Sequence, residues 1–360
     1  MLLNAEYEGT EATWIEALNV TRLTAEEHNP AQTLVSLHTG ETLDYKTLSY
    51  GRYWHGYLIY LKPLLIFFNY QQIRYILIFV QMSLVLGLLY LIGKKNKKGC
   101  FIPILSSIFF LNPVVCALSL QYTSVFVLTL LQIIVILIFE EKYKACMKLW
   151  LYHFYIVGCL TVYFDFLTYP LVTFGIPIAF MISQYTKDFK VGLKMLIGTG
   201  IFWLTGYGTM WMSKWLLGSL ITGNNILASA VTSIEVRTSN TFNDVAFNAF
   251  DVIKANLDIC QFTLQIFFLL FLICIIVGFI LKSIRISLQI IPMLCIAILP
   301  FLWYVVLSNH SWLHPWMTYR ELAISIYATM TICMKFFYKD NSRSCPENII
   351  QRSTINKHSK

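Results

Sequence analysis

The chain has 360 residues, of which 57% are hydrophobic, 16% aromatic and only 13% charged, and its mean hydropathy is +0.62. A soluble domain carries about 25% charged residues, and a soluble core of this length cannot hide so much apolar surface behind so few charges. A soluble enzyme, a disordered chain and a secreted disulfide scaffold are therefore excluded, and the net charge of +8 is explained by where the bases sit, without nucleic acid.

A membrane span needs about 20 apolar residues. Residues 1–72 come before any such run and read as an outer N-terminal region with interfacial helices. Nine runs follow, at 73–93, 100–118, 122–139, 149–164, 170–186, 195–216, 260–281, 287–307 and 321–338. The expected fold is all-α and polytopic, with about nine transmembrane helices over 73–338, an outer loop at 217–259 and a basic cytoplasmic tail at 339–360. Multi-pass placement in a cell membrane follows.

Sidedness comes from the loops. Lys94, Lys95, Lys97 and Lys98 follow the first run; Lys142, Lys144 and Lys148 the third; Lys187, Lys190 and Lys194 the fifth; Lys282 and Arg285 the seventh. Lys335, Lys339, Arg343, Arg352, Lys357 and Lys360 lie at or after the end of the ninth. The positive-inside rule puts these alternate segments in the cytoplasm, with the C-terminus inside and the N-terminus outside. Such a chain lacks a signal peptide ahead of a long outer segment, so a further helix upstream of Met1 is expected.

Four outer segments hold the chemistry-bearing residues. The first is Tyr50-Gly51-Arg52-Tyr53-Trp54-His55-Gly56-Tyr57, leading to Lys62-Pro63. It reads as a helix entering the interface, stopped or kinked by Pro63, with Arg52 and His55 sharing a face. It is either an aromatic belt with a snorkelling cation or an anion-binding corner. The second surrounds Asp165, the only acid between Lys142 and Lys187. A carboxylate among aromatics at a membrane end is partly desolvated and needs a partner. It serves as base, metal ligand or sugar-hydroxyl acceptor, or else as an N-cap for the helix that Pro170 starts.

The third, 308–321, packs His310, Trp312, His314, Trp316 and Tyr319 with an Arg320–Glu321 ion pair. The two histidines are at i, i+4, but no HExxH accompanies them, and Arg320 suits phosphate by bidentate bonding. The fourth is the loop 217–259, with Glu235, Arg237, Asp244, Asp251 and Lys254, read as partly helical around 241–257 and as lid or connector. Nine cysteines sit mostly in apolar runs, with no CxxC pair. No nucleotide-binding fingerprint or serine elbow is present.

These motifs carry a resemblance. Arg52-Tyr53-Trp54-His55-Gly56-Tyr57 with Lys62-Pro63-Leu64-Leu65, Phe164-Asp165-Phe166-Leu167-Thr168, and Asn309-His310-Ser311 with His314 and Thr318-Tyr319-Arg320 look like the GT-C type of polytopic membrane glycosyltransferase, in a group from Gram-positive bacteria. The resemblance spans residues 45 to 335. It implies inverting transfer of a sugar from a polyprenyl-phosphate donor to a glycan or other cell-envelope acceptor on the outer face. It also implies an acid in the first outer loop as base or metal ligand, with Glu6, Glu8 and Asp44 as candidates, and a divalent cation in some members.

Chemistry alone leads to a similar site. A lipid-phosphate donor needs cations at headgroup level, apolar walls below and aromatic faces for the sugar. Arg52 and Arg320 are expected to hold the phosphate and stabilise the departing group. Asp165, or Asp44 or Glu8, is expected to take the acceptor's proton. Trp54, Trp312 and Trp316 stack on sugar; His55, His310, His314 and Tyr319 surround the ligand. The alternatives are a transporter or flippase for a lipid-linked glycan, and a degenerate, non-catalytic membrane protein.

Overall fold

The computed structural model describes residues 1–7, 9, 12–26, 28–281 and 288–337. Among them, most residues are helical, with two short antiparallel strand pairs. Each apolar run contains helix. The helices are Tyr70–Lys94, Phe101–Leu111 with Pro113–Leu118, Leu120–Ile138, Met147–Phe164, Val172–Tyr185, Phe189–Thr222, Gln261–Ile280, Ile291–Val306 and Ala323–Phe337. Three of these, Tyr70–Lys94, Leu120–Ile138 and Gln261–Ile280, are long and apolar enough to cross a membrane.

The boundaries follow local chemistry. Asn69 caps Tyr70–Lys94 by accepting from Gln72 N at 2.9 Å, and the Gln72 side chain reciprocates. The second run breaks at Asn112, whose φ of 58° is left-handed, and restarts with Pro113 at the first helical position. Phe189–Thr222 has 34 residues, starts on an Asp188 cap and stops at Gly223, φ 71°. At 1.5 Å per residue it is about 51 Å long, well beyond the about 30 Å of a hydrocarbon core.

Val172–Tyr185 is the centre of the bundle: residues 172 to 182 are all buried. Its Thr173 gathers the polar groups around it. Gln132 Nε2 donates to Thr173 O at 2.7 Å, and Trp203 Nε1 donates to Thr173 Oγ1 at 3.2 Å. Met147–Phe164 and Phe189–Thr222 cross at backbone contact. A Cβ on Gly206 would lie 2.0 Å from Tyr155 O, and one on Gly158 2.2 Å from Trp203 O, so only glycine fits at either position.

The two ends of the bundle differ in chemistry. At one end, the carboxylate of Glu140, buried at the tip of the third run, receives Lys144 at 2.8 Å, Lys97 at 2.9 Å and Lys95 at 3.7 Å. Burial opposes ionisation, but the Lys144 and Lys97 ammoniums outweigh it and hold the carboxyl below its usual range. Two of the lysine-bearing loops thus meet on one side. At the other, aromatic end, four segments distant in sequence come together.

The first is the N-terminal region. It is more structured than a set of interfacial helices: strands Thr21–Ala25 and Tyr45–Ser49 pair antiparallel around the helix Pro30–Thr39. The helix Leu58–Phe67 runs through Pro63 to its end, so Pro63 is not a stop. The others are the turn 165–169, the helices Ile226–Thr238 and Ala249–Ile259 of the loop 217–259, and Ser308–Leu313 with Pro315–Thr318. The tail 339–360 and residues 282–287 lie outside the described residues.

Candidate functional site

The long helix Phe189–Thr222 carries an aromatic ring every fourth residue along one face. Trp203 stacks on Tyr207 with centroids 4.8 Å apart, Tyr207 meets Trp211 at 6.4 Å, and Trp211 meets Trp215 at 5.4 Å. Opposite this ladder, Ile226–Thr238 turns Ala230, Ser233, Ile234 and Arg237 to one face. Between them is a cavity of about 220 Å³, closed by Arg52 and Tyr53 of the N-terminal region, Leu167 of the turn, and Trp303, Val306 and Leu307 at the end of Ile291–Val306.

The segment bearing Arg52 and Tyr53 is locked down by backbone bonds. Trp215 Nε1 donates to Arg52 O at 3.1 Å, Trp54 Nε1 to Met210 O at 2.8 Å, and Gly56 N to Tyr163 O at 2.9 Å. It is a turn rather than a helix: His55 has φ 53°. Arg52 and His55 therefore do not share a helix face. Lys214 of the long helix, fully buried, donates to Leu18 O at 2.8 Å and so ties the end of helix Thr13–Asn19 to the bundle.

Two guanidiniums serve the cavity. Arg52 Nη1 donates to Ser229 Oγ at 3.0 Å, and its Cζ lies 5.7 Å from the Tyr50 ring. Arg237 Nη2 donates to Tyr53 OH, with Cζ 5.5 Å from that ring. Tyr50 and Tyr53 stack on each other at 5.6 Å, so both cations rest on one aromatic pair, a cation–π arrangement. Burial, ahead of the neighbouring arginines, raises the Tyr53 phenol above its ordinary value and keeps it neutral. Among the described residues, no carboxylate lies within ion-pair distance of Arg52 or Arg237. Arg52 Nε and Trp303 Nε1 are buried donors without an acceptor in the protein. Unmet buried donors cost free energy, and two of them line one hollow.

The expected site residues distribute as follows. Arg52 lines the cavity. Trp54 does not; its ring lies 5.7 Å from Tyr163 and 5.2 Å from Lys214 Nζ. His55 is buried beneath Tyr53 and Phe166, and burial pushes its imidazole down to about 3, so it is neutral and holds no phosphate by charge. His310 is buried, neutral for the same reason at about 3, and uses Nε2–H to donate to Leu167 O at 2.7 Å. His314 has its ring 5.0 Å from that of His310, and burial also lowers it.

Arg320 is buried away from Arg52. Its Nη1 donates to Trp316 O at 2.6 Å, and its Cζ sits 3.9 Å from the Tyr122 ring and 4.7 Å from that of Tyr319. The expected Arg320–Glu321 ion pair is not formed. Glu321 instead accepts from Leu171 N at 3.1 Å and so caps the start of Val172–Tyr185. Tyr319 packs on Phe110 at 5.9 Å. Arg237, not Arg320, joins Arg52 at the cavity.

Asp165 is buried with its carboxylate turned into its own loop: Oδ2 accepts from Thr168 N at 3.0 Å and Oδ1 accepts from the Thr168 hydroxyl. Burial raises the carboxyl to about 6 against those bonds. It caps the turn 165–168, while Glu321 caps the helix that follows. Asp44 is exposed next to strand Tyr45–Ser49, and Glu8 lies outside the described residues. Among the described residues no three His, Cys, Asp or Glu side chains gather as metal ligands.

Reading motifs by density named Arg237 only as a loop residue with no assigned role, and left out Tyr207, Trp211, Trp215 and Trp303. The signal for most of them is the four-residue aromatic spacing from Trp203 to Trp215. No known protein family matches the chain, nor does any curated relative or solved structure.

Proposed function

We propose that this is a multi-pass membrane protein of nine spans, aromatic end outward and lysine end in the cytoplasm, and that its cavity binds a polyprenyl-phosphate sugar donor for GT-C-type transfer to a cell-envelope acceptor. The observation that carries the reading is the pair of acid-free guanidiniums, Arg52 and Arg237, beside the unmet donors Arg52 Nε and Trp303 Nε1. A phosphate supplies the missing charge and acceptors together. The indoles of Trp211, Trp215 and Trp303 supply flat apolar faces for a sugar, and the exposed Leu302, Val305 and Val306 at the end of Ile291–Val306 offer a path for a lipid tail. In transfer, the two arginines stabilise the phosphate as it departs.

The test is binding of a polyprenyl-phosphate sugar to the purified protein in nanodiscs. Arg52→Ala and Arg237→Ala each weaken binding by about tenfold or more, consistent with loss of a charge-assisted contact, and added salt weakens the wild type more than either variant. Unchanged affinity in both variants overturns the reading.

A second reading has its own support. Among the residues lining the cavity there is no carboxylate, so the lining offers no base for an acceptor hydroxyl. A protein that binds or hands on a lipid-linked glycan without cleaving it fits that composition. Release of free polyprenyl phosphate from a labelled donor separates the two: it accompanies transfer and is missing in carriage.

A further inference from the structure

The turn between Met147–Phe164 and Val172–Tyr185 puts a residue of the cavity wall itself on an unfavourable backbone. Leu167 has φ 65°, a conformation that costs a branched or bulky residue of order 1 kcal/mol or more and that glycine adopts freely. Such a conformation persists only when its surroundings impose it, and here the imposing contacts are visible. Asp165, two residues before, binds the backbone N–H and the hydroxyl of Thr168, one residue after. His310, from a helix 143 positions away in sequence, donates to Leu167 O at 2.7 Å. Glu321 takes Leu171 N at 3.1 Å. Three buried polar side chains, from the turn itself, from Ser308–Leu313 and from the short helical turn Tyr319–Leu322, therefore hold one short loop. What they hold in place is the Leu167 side chain, 6% exposed and in the cavity wall.

We propose that Leu167 sets the size of the headgroup this cavity accepts, and that Asp165 and His310 are positioning residues that keep it there. This rests on the reading of the cavity as the binding site. It moves two of the expected site residues, Asp165 as a candidate base and His310 as a ligand contact, into the support of the wall. The volume agrees: about 220 Å³ is below the about 300–1,000 Å³ of pockets for drug-sized ligands. The hollow itself has room for about one sugar ring. A glycine in place of Leu167 is free to keep the same backbone while opening the wall.

The experiment measures the affinity of the protein in nanodiscs for polyprenyl phosphate carrying one hexose and for the same lipid carrying a disaccharide. Leu167→Gly shifts the ratio of the two affinities toward the disaccharide by about tenfold, the discrimination one buried apolar group supplies. Asp165→Ala weakens monosaccharide binding by about tenfold, and Asp165→Asn, which retains an acceptor oxygen for Thr168, stays within about threefold of wild type. An unchanged ratio in Leu167→Gly, or an Asp165→Asn as damaging as Asp165→Ala, overturns the proposal.

A ligand-free arm separates this from failure of the binding reading. Hydrogen exchange at the Thr168 amide is slow in wild type and Asp165→Asn and about tenfold or more faster in Asp165→Ala. If neither lipid binds wild type, the proposed function fails, and the exchange result alone decides whether Asp165 positions the loop: equal exchange in Asp165→Ala and wild type says that it does not.

Discussion

A single carboxyl shows how placement decides role. Asp165 is the only acid in a long apolar stretch, which makes it conspicuous as a candidate base, yet its oxygens are spent on Thr168. Burial lifts it to about 6, above the about 3.9 of an unfolded Asp. The folded state therefore holds its proton more tightly than the unfolded one. Stability from this group is fullest at low pH, declines as pH rises from about 4 to about 6, and is level above; the loss is of order 1–3 kcal/mol. The titratable groups that face it are Glu321, Tyr169 and Tyr207; His310, bonded to Leu167, is neutral across this range. Thermal melts in detergent at pH 4.5 and 7 are expected to show that decline in the wild type and a flatter profile in Asp165→Asn. Equal slopes in the two proteins would mean that Asp165 does not titrate where its burial puts it.

At the scale of elements, hydropathy located the helices of the nine apolar runs and misjudged what lay at the ends. The long helix reads as 195–216 because only that part is apolar, whereas Asp188 and Gly223 cap it at 189 and 222. Near the end of that run, Trp215 and Lys214 bind the backbone of the N-terminal region, and the added turns lead on to Ile226–Thr238. Ile226–Thr238 gives little sign in the sequence, since its Ser, Thr and Val residues are weak helix formers, and its Asn225 cap, which accepts from Ala228 N at 3.0 Å, is an ordinary loop residue until seen in place. The segment 50–57 reads as helix from the spacing of Arg52 and His55, but a left-handed His55 breaks any such periodicity.

The crossing of Met147–Phe164 with Phe189–Thr222 positions the whole aromatic ladder, and it rests on Gly158 and Gly206. Gly206→Ala would place a methyl 2.0 Å from Tyr155 O, and separating the helices to admit it costs about 1–3 kcal/mol. A lower melting temperature and altered fluorescence of the cavity tryptophans are expected. A melting temperature equal to wild type would show that the two helices do not meet as described.

For the molecule as a whole, the division into two chemically distinct ends is the feature most legible in the sequence. Lysines alternate loop by loop, and two of those loops do share the Glu140 cluster. The alternation of lysine-bearing loops assigns the N-terminal region, the turn at 165, the loop 217–259 and the segment at 308 to one side. Which residues face the hollow is not legible in this way, because that depends on helix phase and on hydrogen bonds such as His310 to Leu167 that join distant parts of the chain. Arg320 and Arg237 look alike as sequence; one is sealed against Tyr122 and the other lines the cavity.

The central claim is that this hollow takes a lipid phosphate. A photoreactive polyprenyl phosphate, crosslinked to the protein in bilayer nanodiscs and mapped by mass spectrometry, tests it most directly. Labels are predicted on the faces bearing Tyr207, Trp211, Ile234 and Trp303, and are lost when Arg52→Ala and Arg237→Ala are combined. Labels confined to other surfaces, or undiminished in the double variant, would contradict the account.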